Sequence, residues 1–105
     1  MTNIGKNRYI GHVKPTIDLD KLEKIGEALG DPYRVRMMNA IRDKPDGMTC
    51  NAMVEIFNLA QSTVSHHLKL LVEADLLFFE KEGRCSRYFI NRRTFGEYIK
   101  MLKGF

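Results

Sequence analysis

Apolar residues recur at helical spacing from residue 20 onward, and the first part of this pattern predicts two consecutive helices. The first is expected to begin near Asp20, where a carboxylate followed by Glu23 resembles a capping box, and to end at Gly30. In the second, Asp31 caps the helix and Pro32 occupies its first position. The predicted inward positions are Leu22, Ile25 and Leu29, then Val35, Met38 and Ile41.

Two further helices are predicted after a turn-rich segment at residues 43–47. Met48-Thr49 can form a very short strand before a helix over residues 51–57. Three residues then lead into a fourth helix from Gln61 to about Ala74. The inward positions are Met53, Val54 and Phe57 in the third helix, and Val64, Leu68 and Leu71 in the fourth.

The last part of the chain predicts a β-hairpin and a final helix. Aromatic and β-branched residues at 77–81 and 86–90 flank a turn at Glu82-Gly83-Arg84, and the helix begins near residues 91–94. The order of elements predicts a mainly α protein with a small hairpin, a winged helix-turn-helix of about five helices and a two- to three-stranded wing. We expect an N-terminal arm over residues 1–17 and a DNA-binding and dimerisation domain over residues 18–105.

Length and charge narrow the class of protein. The chain has 105 residues, enough for one domain, and a formal net charge of +4, which favours a polyanionic partner. Two cysteines are too few for a disulfide framework and fit a reducing compartment. No apolar run has the length of a membrane span and the N-terminus does not look like a signal peptide, so we expect a cytoplasmic protein with no membrane partner.

The fourth helix carries the chemistry most typical of a DNA reader. No acidic residue occurs between positions 61 and 71, and the apolar positions leave one polar face for the base edges of a major groove. An ordinary solvated helix face is the alternative interpretation. The candidate DNA contacts on this helix are Gln61, Ser62, Thr63, Ser65, His66 and Lys69.

The hairpin adds positive charge beside that helix. Residues 79–93 contain five basic and two acidic side chains, and Arg84 follows the glycine of the turn. We expect Arg84 and Arg87 to contact phosphate or enter a minor groove, although a hairpin that only adds solubility would have a similar composition.

Three motifs together resemble the ArsR/SmtB family of small winged-helix transcriptional repressors. They are ALGDPYRVR at residues 28–36, QSTVSHHLK at residues 61–69, and Glu82-Gly83-Arg84 followed by Tyr88. The resemblance implies a homodimer that is built by its first and last helices and leaves operator DNA when an inducer binds. On this interpretation the dimer interface contains Leu22, Ile25, Phe95, Tyr98, Ile99 and Leu102.

The usual metal ligands of that family are missing from their places. A single Cys50 stands where metalloid sensors often carry Cys-x-Cys, and residues 92–105 contain no His, Asp or Cys. We therefore predict no metal site, although a metal or metalloid inducer stays open. Cys50 and Cys85 are candidate sensing thiols, expected to lie too far apart for a disulfide with each other.

No catalytic arrangement is evident in the sequence, so we do not expect an enzyme. His66 and His67 are adjacent on the fourth helix and point in different directions, with His67 toward the core. Ala60 stands where a side-chain cap is usual. The main alternative to a DNA-binding repressor is a winged-helix module that binds only other proteins.

Overall fold

A computed structural model describes residues 17–105, so most of the predicted arm lies outside the described residues. The chain forms α1 (Leu19–Leu29), α2 (Pro32–Arg42), β1 (Met48–Thr49), α3 (Cys50–Phe57), α4 (Gln61–Glu73), β2 (Leu77–Glu82), β3 (Cys85–Ile90) and α5 (Arg92–Lys103). The three strands form one antiparallel sheet in the order β1-β3-β2. This confirms the winged helix-turn-helix prediction.

The helix ends follow capping chemistry, with one correction. Asp18, not Asp20, caps α1 by accepting a hydrogen bond from the backbone N–H of Lys21 at 2.8 Å. Asp31 caps α2 as predicted, accepting from the backbone N–H of Tyr33 at 2.8 Å. Asp18 and Asp20 are both possible caps. Ile17, which directly precedes Asp18, is buried, and this contact favours a helix start at Asp18.

The core consists mainly of side chains from the first four helices and from the base of the hairpin. Its fully buried members are Ile25, Met37, Ile41, Met53, Val64, Leu68, Leu71, Leu76 and Leu77. Val35, predicted to face inward, is 38% exposed, and Met37 takes the buried position instead. Met37 and Met38 are adjacent, and both fit the core because the unbranched thioether side chain adapts to irregular space.

Asp75 links three separate elements at the end of α4. It has a positive φ of 64° and its carboxylate accepts hydrogen bonds from Lys21 Nζ at 2.9 Å, Thr94 Oγ1 at 2.9 Å and Asn91 Nδ2 at 3.1 Å. Burial acts to raise the pKa of Asp75, but the bonds from Lys21 and Thr94 outweigh it and the pKa is lowered. The start of α5 and the first turn of α1 are thereby fixed to the C-terminal end of α4.

Two glycines with positive φ lie in the loops that lead into the strands of the sheet. Gly47 has φ +76°, and a β-carbon there would lie 2.7 Å from the carbonyl oxygen of Tyr88 and 2.9 Å from the Phe89 ring. Gly83 has φ +60° at the wing tip, with open space around it. The hairpin turn is one residue shorter than predicted, because β2 extends to Glu82 and β3 begins at Cys85. At Gly47 the loop before β1 therefore lies too close to β3 to accommodate a side chain.

Candidate nucleic-acid interface

Helix α4 separates its polar and apolar side chains onto opposite faces. Val64, Leu68 and Leu71 are fully buried, whereas the six predicted contact residues, Gln61, Ser62, Thr63, Ser65, His66 and Lys69, are all exposed. The helix contains no carboxylate before Glu73. The structure therefore brings the six side chains to the surface of one helix, on a neutral-to-positive face that can donate and accept hydrogen bonds.

The turn before α4 leaves the beginning of that helix open. Asn58 ends α3 in the left-handed conformation with φ 52° and ψ 45°, which Asn tolerates better than most residues. Ala60 then precedes α4 without a side-chain hydrogen bond to its first turn. The first backbone N–H groups of α4 consequently have no side-chain cap, and they can donate to an oxygen from outside the chain.

His67 is held on the inner face of α4 by Arg34 of α2. Arg34 Nη1 lies 3.0 Å from His67 Nδ1, and because a guanidinium can only donate, the imidazole nitrogen accepts. Arg34 also donates from Nε to the carbonyl of Ala28 at 2.7 Å and from Nη2 to the carbonyl of Glu27 at 3.2 Å. One side chain thus joins the C-terminal carbonyls of α1 to the middle of α4.

The environment of His67 favours its neutral form. Burial lowers the pKa of His67, the Asp31 carboxylate opposes that shift, and the neighbouring Arg34 and His66 lower it further. The Tyr33 ring stacks on the imidazole with centroids 6.1 Å apart. His66, one residue earlier, is exposed as predicted. The two histidines therefore have different surroundings on the same helix turn.

Among the described residues, the wing presents one arginine at its tip with no intrachain partner and a second that is already engaged. Arg84 is exposed beside Gly83. Arg87, predicted as a phosphate contact, instead donates from Nε to Glu82 Oε2 at 2.8 Å and from Nη1 to the carbonyls of Asp46 and Gly47 at 3.3 and 3.4 Å. The strand pairing of Arg87 with Thr49 places its side chain beside β1. These bonds give Arg87 a structural role, and its predicted DNA contact stays a prediction.

The two cysteines have different exposure, and neither forms a disulfide. Cys50 is partly buried at the start of α3, and burial raises the pKa of its thiol, whereas Cys85 is exposed at the start of β3. Because Thr49 pairs with Arg87, Cys85 lies two residues from that pair along β3. Within residues 17–105, no three His, Cys, Asp or Glu side chains come together as metal ligands.

Exposed apolar side chains remain on the first and last helices. Leu19 is 81% exposed, and Ile99 and Leu102 of α5 are 39% and 41% exposed. Ile25 of the predicted dimer interface is fully buried inside the chain, so it has no surface to offer a partner. Leu22, Phe95 and Tyr98 are partly buried against the core. Across the described helices, none combines the length and the apolar character needed to cross a membrane.

Comparison with known proteins places this architecture among transcriptional regulators. A family model described as a helix-turn-helix domain matches residues 29–77. The arsenical resistance operon repressor of Bacillus subtilis is 36% identical over 73 residues, which cover 70% of this chain and 69% of that repressor.

Solved structures show the same fold. The crystal structure of an ArsR family transcriptional regulator superposes with a TM-score of 0.72 at 22% identity and covers 81% of this chain and 86% of that one. The homodimeric winged helix-turn-helix DNA-binding domain of a Mycobacterium bovis protein has a TM-score of 0.68 at 19% identity, over 81% of this chain and 77% of its own.

Proposed function

The chain belongs to the ArsR/SmtB family of winged-helix transcriptional repressors, and we propose that it binds operator DNA as a homodimer with α4 in the major groove. Ser62, Thr63, Ser65 and His66 read base edges, and Gln61 assists at the helix start. Lys69 and Arg84 hold the DNA backbone or the minor groove beside it.

The observation that carries this proposal is the exposed face of α4. Hydroxyl, amide and imidazole groups are the ones that pair with base edges in a major groove, and six polar side chains of these and related types are exposed there without an acidic neighbour before Glu73. A helix that only faced solvent would have no reason to exclude carboxylates throughout residues 61–72. The uncapped start at Ala60 adds backbone donors for a phosphate.

A second copy of the chain completes the reading unit. Leu19, Ile99 and Leu102 leave apolar surface on α1 and α5, and Leu22, Phe95 and Tyr98 extend that surface toward the core. A related fold from Mycobacterium bovis is described as homodimeric. Two-fold symmetry then sets the two α4 helices about 34 Å apart, one helical turn of DNA, or a multiple of it, on a palindromic site.

The test is a gel-shift and footprinting experiment on the DNA upstream of the chain's own gene. A double variant Ser65→Ala with His66→Ala is expected to lose preference for the operator over random duplex by about tenfold or more, since each good base contact contributes roughly 1–3 kcal/mol of discrimination. The matched control is Glu23→Ala with Lys24→Ala, two exposed residues of α1. Unchanged discrimination in the first double variant would remove these residues from the reading role.

A winged-helix module that binds only proteins would behave differently in the same assay. It would show neither operator protection nor retention of random duplex DNA at low salt. A DNA binder with a basic face retains random duplex at low salt and loses it steeply as salt rises. Absence of any DNA binding at low salt would overturn the proposal as a whole.

The second part of the proposal is that an inducer releases the protein from DNA. The thiols of Cys50 and Cys85 are the candidate groups that would react with or bind this inducer. Cys85 is exposed and open to reagents, whereas burial raises the pKa of Cys50 and so lowers its thiolate fraction. Arsenite, divalent metals and thiol oxidants added to the gel-shift identify the active class. Cys50→Ser and Cys85→Ser variants show which thiol, if either, is required.

A further inference from the structure

A cavity of about 250 Å³ lies where the end of α2, the end of β3 and the start of α5 meet. Its floor is apolar and comes from Met38, Ile90 and Phe95, one residue from each element. Met38 is buried and the other two are half-buried against the core. Gly96 of α5 leaves the wall without a side chain, and a β-carbon at this position would meet no atom within 4 Å. The cavity is therefore open beside an apolar surface.

Two guanidinium groups line the same cavity. Arg92 donates from Nη2 to the backbone carbonyl of Arg42 at 3.0 Å, so the two residues are fixed side by side. Arg42 makes two longer hydrogen bonds, from Nη1 to Asn39 Oδ1 at 3.3 Å and from Nε to Asp43 Oδ1 at 3.4 Å. No carboxylate is among the described residues that line the cavity. Its lining therefore includes two arginines above an apolar floor, and of these Arg42 is also paired with the exposed carboxylate of Asp43.

Two other clefts of the described chain have a different charge. The cleft between α1 and α4 is lined by Glu27 and Glu73 together with Lys24 and Arg34, so its charges cancel. The cleft beside Ser65 and Lys69 also includes Glu73 and lies on the DNA-reading side. The start of α5 at Arg92 adds the positive end of a helix dipole to the first cavity, and the negative end of α2 there is engaged by the hydrogen bond from Arg92 to the carbonyl of Arg42. Charge complementarity at that cavity thus favours an anion.

We propose that this cavity binds a small organic carboxylate with one ring or a short aliphatic chain. The carboxylate pairs with Arg42 and Arg92, since a guanidinium matches a carboxylate with two parallel hydrogen bonds. The apolar part lies on Met38, Ile90 and Phe95. An apolar cavity of about 150 Å³ holds benzene and drug-sized ligands need about 300 Å³ or more, so the size found here suits a single-ring acid.

The site lies between the wing and the proposed dimer helix, the two parts of the molecule that it would have to affect in order to regulate DNA binding. Its regulatory role therefore rests on the proposed function. Ile90 ends β3, the strand that leads back from the wing tip, and Phe95 belongs to the proposed dimer interface on α5. A ligand seated between them contacts the base of the wing and the dimer helix together. We therefore expect it to change the operator affinity of the dimer as well as to bind.

The binding test uses the full chain without DNA, with benzoate as the probe and benzamide as its neutral counterpart. Isothermal titration and amide chemical shifts of residues 90–96 are expected to report benzoate binding, and benzamide is expected to bind at least about tenfold more weakly, because a bond to a charged group contributes more than a neutral one. Equal affinity for the two probes, or no binding of benzoate at millimolar concentration, would overturn the proposal.

Substitutions at three positions locate the binding. Arg92→Gln is expected to weaken benzoate about tenfold, and Arg93→Gln is the matched control, because Arg93 is exposed on the same turn and does not line the cavity. Gly96→Leu fills the cavity and is expected to abolish binding, while Gly96→Ala shows whether α5 accepts a side chain there. Equal losses in Arg92→Gln and Arg93→Gln would indicate a general charge effect and reject the site.

A gel-shift with and without benzoate separates this inference from the proposed function. If the chain binds DNA and benzoate has no site, the carboxylate proposal fails and the DNA proposal stands. If benzoate binds at residues 90–96 and the chain retains no DNA, the site stands and the proposed function fails. Benzoate binding that leaves operator affinity unchanged would reject the regulatory role.

Discussion

Arg34 donates a hydrogen bond to His67 across the contact between α2 and α4, with 3.0 Å between Nη1 and Nδ1. The same guanidinium holds two carbonyls at the end of α1. Since His67 follows His66, this contact supports the rotation of α4 that the burial of Val64, Leu68 and Leu71 already favours. The exposure of Ser65 and His66 therefore depends on a residue that lies two helices earlier in the chain.

Replacing Arg34 by methionine is expected to lower the free energy of unfolding by about 1–3 kcal/mol, because the variant loses three hydrogen bonds and leaves His67 Nδ1 without this donor. Chemical denaturation measures the change. Arg36→Met is the matched control on the same helix, since Arg36 is exposed and lies over the Tyr33 ring rather than donating to a carbonyl. Equal losses in the two variants would show that the Arg34 hydrogen bonds contribute nothing beyond the aliphatic stem.

The lowered pKa of His67 predicts a stability that falls in mild acid. Well above pH 6.5, the ordinary histidine pKa, the imidazole is neutral in the folded and the unfolded chain. Below that value the unfolded chain takes up a proton that the folded chain resists, so the free energy of unfolding decreases as the pH drops. Denaturation at about pH 7.5 and about pH 5.5, on either side of the ordinary histidine pKa, measures this decrease.

His67→Gln is expected to remove that part of the pH dependence, because glutamine can still accept from Arg34 and does not titrate in this range. His66→Gln is the control, since His66 is exposed. An unchanged slope over the same pH interval in His67→Gln would contradict the assignment to this imidazole.

Gly47 and Gly83 offer a comparison of crowding with backbone conformation. Both have positive φ, but only at Gly47 would an added β-carbon lie closer than 3 Å to other atoms, namely the carbonyl oxygen of Tyr88 and the Phe89 ring. Gly83→Ala is expected to cost about 1 kcal/mol from conformation alone, and Gly47→Ala about 2–3 kcal/mol from conformation and contact together. Thermal denaturation ranks the two, and a reversed order would contradict the closeness of this loop to β3.

Arg84→Ala is expected to weaken binding to all DNA sequences alike and to lower the slope of log affinity against log salt by about one unit, as for one lost phosphate contact. Arg87→Ala should instead reduce stability, because Arg87 holds Glu82 and two loop carbonyls. Gel-shifts at several salt concentrations and a denaturation curve for each variant measure both effects. A slope unchanged by Arg84→Ala would exclude a phosphate contact at the wing tip.

The order of elements could be predicted from the sequence because periodicity, capping residues and turn glycines agree from residue 18 onward. The three-residue connection and the inward position of His67 also follow from local spacing, and the structure confirms them. The start of α1 could not be fixed to the residue, because Asp18 and Asp20 can both cap a helix and only the burial of Ile17 selects the earlier one.

Several features of the site could not be predicted from local patterns, because they depend on contacts between residues that are distant in the sequence. Arg87 looks like a free cation until the strand register places it beside β1 and Glu82. Ile25 looks like an interface residue until the neighbouring helices cover it. The hydrogen bond between Arg34 and His67 joins positions that no periodicity relates. The cavity at Gly96 likewise arises from three elements and leaves no motif in any one of them.

The triple attachment at Asp75 has a consequence for how a signal could travel. Lys21 and Thr94 hold the first and last helices to the residue that follows α4. We therefore expect α1, α4 and α5 to move together. In the proposed dimer, a small rotation of α5 would change the distance between the N-terminal ends of the two α4 helices, and this distance determines whether both fit successive turns of one duplex.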